Sequence, residues 1–175
     1  MDRTGPGCDG ASALLHELID LKADARDHAR ANSRELAGAI AQGARIYTSE
    51  GALPVEYLEP GDRIVTRSGT RELRAVLRGD YVGPLVRVAP GALGHDRPGA
   101  PLLLGPQARL LLRDWRVKLI YGKREALVAA CSVVDGQYVT QVTARARLFA
   151  LQFDAPEVIY ADGVEIAMTP ARVTV

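Results

Sequence analysis

Histidine and cysteine side chains are the groups best suited to acid–base, nucleophilic or metal chemistry, and this chain has few of them. The three histidines are His16, His28 and His95, and the two cysteines are Cys8 and Cys131. No H-x-x-x-H or C-x-x-C spacing occurs, so the sequence contains no metal-binding motif of either kind. It also contains no Gly-rich phosphate loop. We therefore expect no metal and no cofactor.

One adjacent pair, His95 and Asp96, combines an imidazole with a carboxylate, as general acid–base catalysis often does. The pair lies in a Gly- and Pro-rich stretch, residues 91–99, which is typical of a loop. Neighbouring residues rarely orient one another as a catalytic dyad. We therefore interpret His95 and Asp96 as solvent-exposed loop residues.

The composition narrows the class of protein. The chain has 175 residues, 47% hydrophobic and 25% charged, which is enough for one domain, or one domain plus an appendage. A net charge of +1 argues against an electrostatically driven nucleic-acid or membrane partner. No apolar run approaches the roughly 20 residues that span a bilayer. The first residues have no signal-peptide pattern, so we expect a cytoplasmic protein.

The first 42 residues differ from the rest. Residues 1–10 are rich in Gly, Pro and Asp and predict a flexible lead-in, and residues 11–42 predict an N-terminal helical arm. Ser12 can cap a helix reaching to about residue 31, and Ser33 a shorter one through Ile40. The first helix has an apolar stripe, made of Leu14, Leu15, Leu18, Ile19 and Leu21.

Two interpretations of this arm remain open. It can dock on a protein partner or a second copy of the chain, with Leu14, Leu18 and Leu21 as the partner-binding candidates. It can equally lie on the surface of its own domain. Because a helix of this length is marginal alone in water, both interpretations predict that the stripe is buried.

The pattern changes at residue 43. Residues 43–69, GARIYTSEGALPVEYLEPGDRIVTRSG, contain two alternating apolar runs, 44–48 and 63–67, with turn signals at 49–51 and 59–62. Pro60 presets φ, and Gly61 can take the positive φ of a type II turn. The stretch therefore predicts strands joined by tight turns.

Short apolar runs separated by turn signals continue to the end of the chain, without alternating helices. They predict an all-β body. Within it we interpret 78–80 as a turn, 117–121 as a strand and Trp115 as a core or edge anchor. The runs are 73–77, 85–88, 102–104, 110–112, 117–121, 126–130, 138–142, 148–153, 158–160 and 164–167.

Three of these stretches together resemble the Hint (hedgehog/intein) domain family, in particular its bacterial Hint-like branch. They are residues 43–69, residues 101–112 (PLLLGPQARLLL) and residues 148–166 (LFALQFDAPEVIYADGVEI). The resemblance implies a mainly β, Hint-like domain over residues 43–175, preceded by the helical arm. It also implies self-processing, in which a first Cys or Ser attacks the preceding carbonyl and a histidine polarises that amide.

The positions that the resemblance assigns to this chemistry lack the required residue types. The nucleophile position, four residues before Gly43, is Ala39, which has no heteroatom. The histidine of the middle block falls on Ala108, or on its neighbour Gln107, and neither titrates near neutral pH. The remaining positions are the closing histidine, at Pro156 or Glu157, and the closing His-Asn pair, at Ala167 and Met168.

Three hypotheses follow for the function. The first is a catalytically degenerate Hint-like domain that serves as an interaction or scaffold module. The second is an active self-processing domain that uses non-standard residues. The third is an unrelated β-barrel that binds a small ligand. The residues that could rescue self-processing have simpler interpretations, as a helix cap (Ser33), a strand residue (Thr48), a turn residue (Ser49) and a free thiol (Cys8).

Overall fold

Twelve β-strands and one complete α-helix form most of residues 34–170, the part of the chain that the computed structural model describes. Residues 34–37 are also helical. The helix α1 is Trp115–Tyr121, and 3-10 turns occupy Val55–Tyr57 and Ala130–Val133. The strands are β1 (Ile40–Ala41), β2 (Arg45–Thr48), β3 (Gly51–Pro54), β4 (Arg63–Thr66), β5 (Gly69–Glu72), β6 (Ala75–Val88), β7 (Leu102–Leu104), β8 (Arg109–Leu112), β9 (Ala126–Ala129), β10 (Val139–Gln152), β11 (Glu157–Ala161) and β12 (Val164–Met168). The predicted mainly β body is confirmed.

Four strands close on themselves in the order β1, β10, β6, β7. The strands β6 and β10 form a long antiparallel ribbon that pairs 14 residues of each, from Ala75 opposite Gln152 to Val88 opposite Val139. The short strand β1 completes the circuit, because Ile40 pairs with both Phe149 and Leu104. The segment leading into β1 is thereby held beside the end of β7.

The remaining strands form a second sheet in the order β3, β2, β4, β11, β12, β8, β9, with β5 paired to β4. Strand β11 connects the early and late parts of the chain, since it pairs with β12, β2 and β4. Inward-facing side chains such as Ile46, Ile159 and Ile166 are fully buried in the main core. All these pairings are antiparallel.

The predicted turn at Gly61 and the turn between β11 and β12 both have positive φ angles. Gly61 has a φ of 100°, and Asp162 and Gly163 have φ values of 48° and 83° between β11 and β12. The Asp162 N–H donates to the Arg45 carbonyl at 2.8 Å, and the Asp162 Oδ2 accepts from the Arg45 N–H at 3.2 Å. The closing turn therefore lies beside the start of β2, which brings Gly163 near Gly43.

The turn predicted at residues 78–80 is wrong, because these residues lie inside β6 opposite Phe149, Leu148 and Arg147. Gly79 is needed for close packing, not for a turn. A Cβ added there would lie 2.8 Å from the Leu36 Cδ1 atom. A glycine within a strand often marks such a close approach.

The strand predicted at residues 117–121 is also wrong, since this run belongs to α1. Asp114 caps the helix through its Oδ1 atom, which accepts from the Val117 N–H at 3.3 Å, and Gly122 ends it with a φ of 65°. The interpretation of Trp115 as a core or edge anchor fails as well, because its side chain is 71% exposed. Of the apolar residues of this run only Val117 is buried, whereas Leu119, Ile120 and Tyr121 are exposed.

The helix predicted from Ser33 through Ile40 is shorter than expected. Helical structure ends at residue 37, and Ile40 already belongs to β1. The partner-binding candidates Leu14, Leu18 and Leu21 lie outside the described residues, so the arm stays a prediction. Among residues 34–170, no helix has the length and apolar character needed to cross a membrane.

Candidate functional site

Backbone hydrogen bonds attach the segment before β1 to the loop before β8. The N–H of Gly105 donates to the Ala39 carbonyl at 2.9 Å, and the N–H of Gln107 donates to the Ala37 carbonyl at 2.8 Å. Within the segment, the Gly38 N–H donates to the Glu35 carbonyl at 3.1 Å. The carbonyls of Ala37 and Ala39, which flank the Gly38–Ala39 peptide, thus both accept hydrogen bonds from the loop. The peptide is held in place from both sides.

Gly105 makes this approach possible. A Cβ atom at this position would lie 2.3 Å from the Ala37 oxygen and 2.8 Å from the Leu36 oxygen, which is closer than real contacts allow. Both neighbouring atoms belong to the backbone, so no flexible side chain could move aside. The sequence suggested only a turn at Gly105-Pro106, and nothing local in it signals this contact.

Ala39 and Ala108, the positions that the resemblance assigned to the nucleophile and the histidine, are both fully buried. The Ala39 methyl belongs to a small apolar cluster with Leu85 and Leu148. Ala108 belongs to the main core, and its carbonyl accepts from the Ala130 N–H at 2.8 Å. Gly105 connects the two positions, because its N–H donates to the Ala39 carbonyl and its carbonyl accepts from the Ala108 N–H at 3.1 Å.

The other assigned positions come to the same end of the second sheet. Ala167 pairs with Arg109, the first residue of β8, so Met168 lies one residue beyond this pair, towards Ala108. Met168 in turn pairs with Glu157, and Pro156 directly precedes Glu157 in the exposed turn before β11. The structure therefore gathers these four regions, whereas the role assigned to each position stays a prediction.

A polar cluster surrounds Glu157, the residue that pairs with Met168. The carboxylate accepts from the Ser68 hydroxyl and from Arg71 Nε at 3.1 Å, and its Oε2 lies 3.1 Å from Thr66 Oγ1. Burial would raise the pKa of Glu157, but the hydrogen bonds from Ser68, Thr66 and Arg71 outweigh it and lower that pKa. A carboxylate stabilised in its charged form is a poor general acid and a weak base near neutral pH.

The residues considered as substitutes have other partners or lie elsewhere. The Thr48 hydroxyl donates to the Gly51 carbonyl at 2.7 Å across the β2–β3 turn. His95 Nε2 lies 3.5 Å from Asp96 Oδ2, with both side chains almost fully exposed. Ser33 and Cys8 lie outside the described residues. In residues 34–170, no group of three or more His, Cys, Asp or Glu residues could hold a metal ion.

Solved structures with the same fold include inteins and an intein-like domain. A bacterial intein-like domain from Clostridium thermocellum is 12% identical with a TM-score of 0.54, and the match covers 75% of this chain and 97% of that one. A DnaB intein from Synechocystis sp. PCC 6803 is 12% identical with a TM-score of 0.51, over 75% of this chain and 98% of that one. At this level of identity the likeness shows the fold alone.

Sequence comparison gives the family. No curated protein matches the chain. The family model described as the Hint domain matches residues 39–167, a range that begins at the assigned nucleophile position and ends in β12. An unrelated β-barrel is therefore excluded, and the chain belongs to the Hint domain family.

Proposed function

We propose that this Hint domain no longer cuts its own backbone and instead serves as an interaction or scaffold module. The observation that carries the proposal is the pair of buried alanines at the assigned catalytic positions. An acyl shift needs a side-chain nucleophile and a proton donor beside the same peptide, and the methyl groups of Ala39 and Ala108 can be neither.

The backbone around the Gly38–Ala39 peptide supports a structural role for this region. The hydrogen bonds from Gly105 and Gln107 and the buried Ala39 methyl hold the incoming segment as part of the fold. If the peptide is never cut, everything before residue 39 stays covalently attached to the domain. The arm can then act as a permanent docking element for a protein partner or a second copy of the chain.

Self-processing by non-standard residues is the second candidate. The retained backbone contacts on both sides of Gly38–Ala39 favour it, because a cleavage site needs its scissile peptide held in one position. The cluster of Ser68, Thr66 and Glu157 offers hydroxyl groups at the same end of the sheet, but these hydroxyls are engaged with the Glu157 carboxylate and the Gly69 carbonyl.

Intact mass separates the two candidates. Dithiothreitol and hydroxylamine capture the thioester or ester that an acyl shift would form. We expect the purified chain to keep its full mass through long incubation with either reagent. A fragment produced by a cut between residues 38 and 49 would overturn the proposal and establish self-processing.

A further inference from the structure

The helix α1 turns its apolar side chains towards solvent. Four of the nine exposed large hydrophobic side chains of residues 34–170 lie on its seven residues. Leu119 is 76% exposed, Trp115 71% and Ile120 68%, and Tyr121 is the fourth. Of the helix side chains that the structure describes, only Val117 is buried. A surface helix normally has the opposite arrangement, with its apolar stripe against the core.

The outward orientation follows from helix geometry. Trp115 and Leu119 are four residues apart and share one face, whereas Val117, about 200° around the axis from Trp115, points to the core. Asp114 and Gly122 define the helix ends by capping, as described above. The helix therefore forms without burial of Trp115 or Leu119. The exposure of these two side chains does not stabilise the fold.

Basic residues lie within this helix and directly after it. Residues 115–124, WRVKLIYGKR, contain four basic residues and no acidic one, although the whole chain has 22 basic and 21 acidic residues. Lys118, Lys123 and Arg124 are exposed, and none of the three has an ion-pair partner in the described part of the chain. The small net charge of the chain thus conceals a local positive surface.

We propose that α1 and the following loop, residues 122–124, bind to the surface of an anionic lipid bilayer. An exposed tryptophan and leucine with flanking lysine and arginine match an interfacial lipid site, where apolar side chains enter the headgroup boundary and basic groups contact anionic headgroups. Lys118 lies next to Trp115 on the helix surface, so its alkyl stem can follow the apolar face while its ammonium stays at the headgroups. The expectation of no membrane partner rested on net charge and is replaced by this proposal.

Shape favours a lipid surface over a protein partner. Two grooves adjoin the helix, with volumes of about 220 and 700 Å³, and Tyr121 lines both, but Trp115 and Leu119 line neither. These two side chains project from a convex helix, and a fluid bilayer can accept such a projection without a matching pocket. A second copy of the same surface would bring like charges together.

Trp115 provides a direct test because it is the only tryptophan of the chain. The full-length protein is titrated with vesicles of equimolar phosphatidylcholine and phosphatidylglycerol while tryptophan emission is followed. We expect emission to shift to shorter wavelength, protection from an aqueous quencher, and reversal by high salt. Vesicles of phosphatidylcholine alone should leave emission unchanged.

Matched substitutions distinguish binding through this surface from non-specific adsorption to vesicles. Leu119→Glu should weaken vesicle binding at least tenfold. Lys123→Glu/Arg124→Glu should weaken it by more than tenfold, since each basic residue raises the affinity for anionic vesicles about fivefold. Val82→Glu and Arg78→Glu/Arg87→Glu change equally exposed residues of the β6–β10 ribbon and should bind like the unchanged protein. All six substituted positions are exposed, and circular dichroism verifies folding.

Three outcomes would overturn the proposal. One is an unchanged Trp115 emission with the anionic vesicles. Another is an equal loss of binding in the control variants. The third is a spectral shift that grows with protein concentration in the absence of vesicles, which would indicate that this face meets a second copy of the chain.

Discussion

At the scale of single residues, the absence of one Cβ atom lets the chain entering β1 reach the loop before β8. Gly105 contacts the backbone of Leu36 and Ala37, and its N–H bonds to Ala39. Alanine fits most backbone conformations. At position 105 it is this close contact that excludes a side chain. The same contact holds the Gly38–Ala39 peptide at the centre of the site.

We predict that Gly105→Ala lowers the free energy of unfolding by more than about 2 kcal/mol, because backbone atoms must shift to admit the methyl group. Chemical denaturation of the purified variant measures this. Gly99→Ala is the matched control, since a Cβ there would meet its nearest neighbour, the Asp96 oxygen, at 3.8 Å. The control should change stability by less than about 0.5 kcal/mol. Equal effects of the two substitutions would contradict the close-contact account.

At the scale of elements, the β4–β5 turn and β11 are linked by the side chain of Glu157. Its hydrogen bonds with Ser68, Thr66 and Arg71 lower its pKa in the folded state. A lowered pKa stabilises the fold above the unfolded value, about 4.3 for Glu, and this stabilisation is lost as the pH falls through the folded value.

We predict that Glu157→Gln lowers the free energy of unfolding by about 1 kcal/mol at neutral pH. The difference from the unchanged protein should shrink as the pH falls below about 4. Denaturation at a series of pH values gives this profile. Glu59→Gln, at an exposed turn position, serves as the control and should show no such dependence. A difference that stays constant down to pH 3 would exclude the ionised Glu157 as its cause.

The elements also show where local sequence is informative. Gly61 and the pair Asp162 and Gly163 have the positive φ angles that their residue types suggested, because turn chemistry acts within a few residues. The turn predicted at Gly79 was wrong, because this glycine allows close packing against Leu36, which is more than 40 residues away in sequence. Contacts between distant parts of the chain leave no local pattern.

The helix α1 could have been found from its ends. Asp114 and Gly122 are residue types that commonly cap helices. The apolar run between them was nevertheless predicted to be a strand. The outward-facing Trp115 could not have been predicted, since large aromatic residues are usually well buried. The proximity of the regions around Ala39, Ala108 and Met168 is implied by the family resemblance. No local sequence signal predicts it.

At the scale of the whole molecule, the proposed loss of self-cleavage bears on the predicted N-terminal arm. Its stripe of Leu14, Leu15, Leu18, Ile19 and Leu21 holds most of the large hydrophobic side chains before residue 34. An uncut Gly38–Ala39 peptide keeps this stripe tethered to the β body. A tethered apolar helix has to be buried in order to persist in water.

We predict that Leu18→Asp unfolds the arm or abolishes self-association, since burial of one leucine contributes about 1.5–3 kcal/mol. Circular dichroism measures the helix content, and light scattering measures the mass in solution. Asp27→Lys, which changes the residue about 180° around the predicted helix from Leu18, should change neither quantity. If Leu18→Asp also changes neither, and partner capture is unaffected, the arm is a passive tail.

The most direct test of the central claim is the intact mass of three proteins incubated side by side with hydroxylamine and dithiothreitol. They are the unchanged chain, Ala39→Cys, and Ala39→Cys/Ala108→His, with thermal melting to verify that the added side chains leave the buried site folded. We predict full mass for the unchanged chain and release of residues 1–38 from the double variant, which regains a nucleophile and a proton donor. Release of the same fragment from the unchanged chain would contradict it.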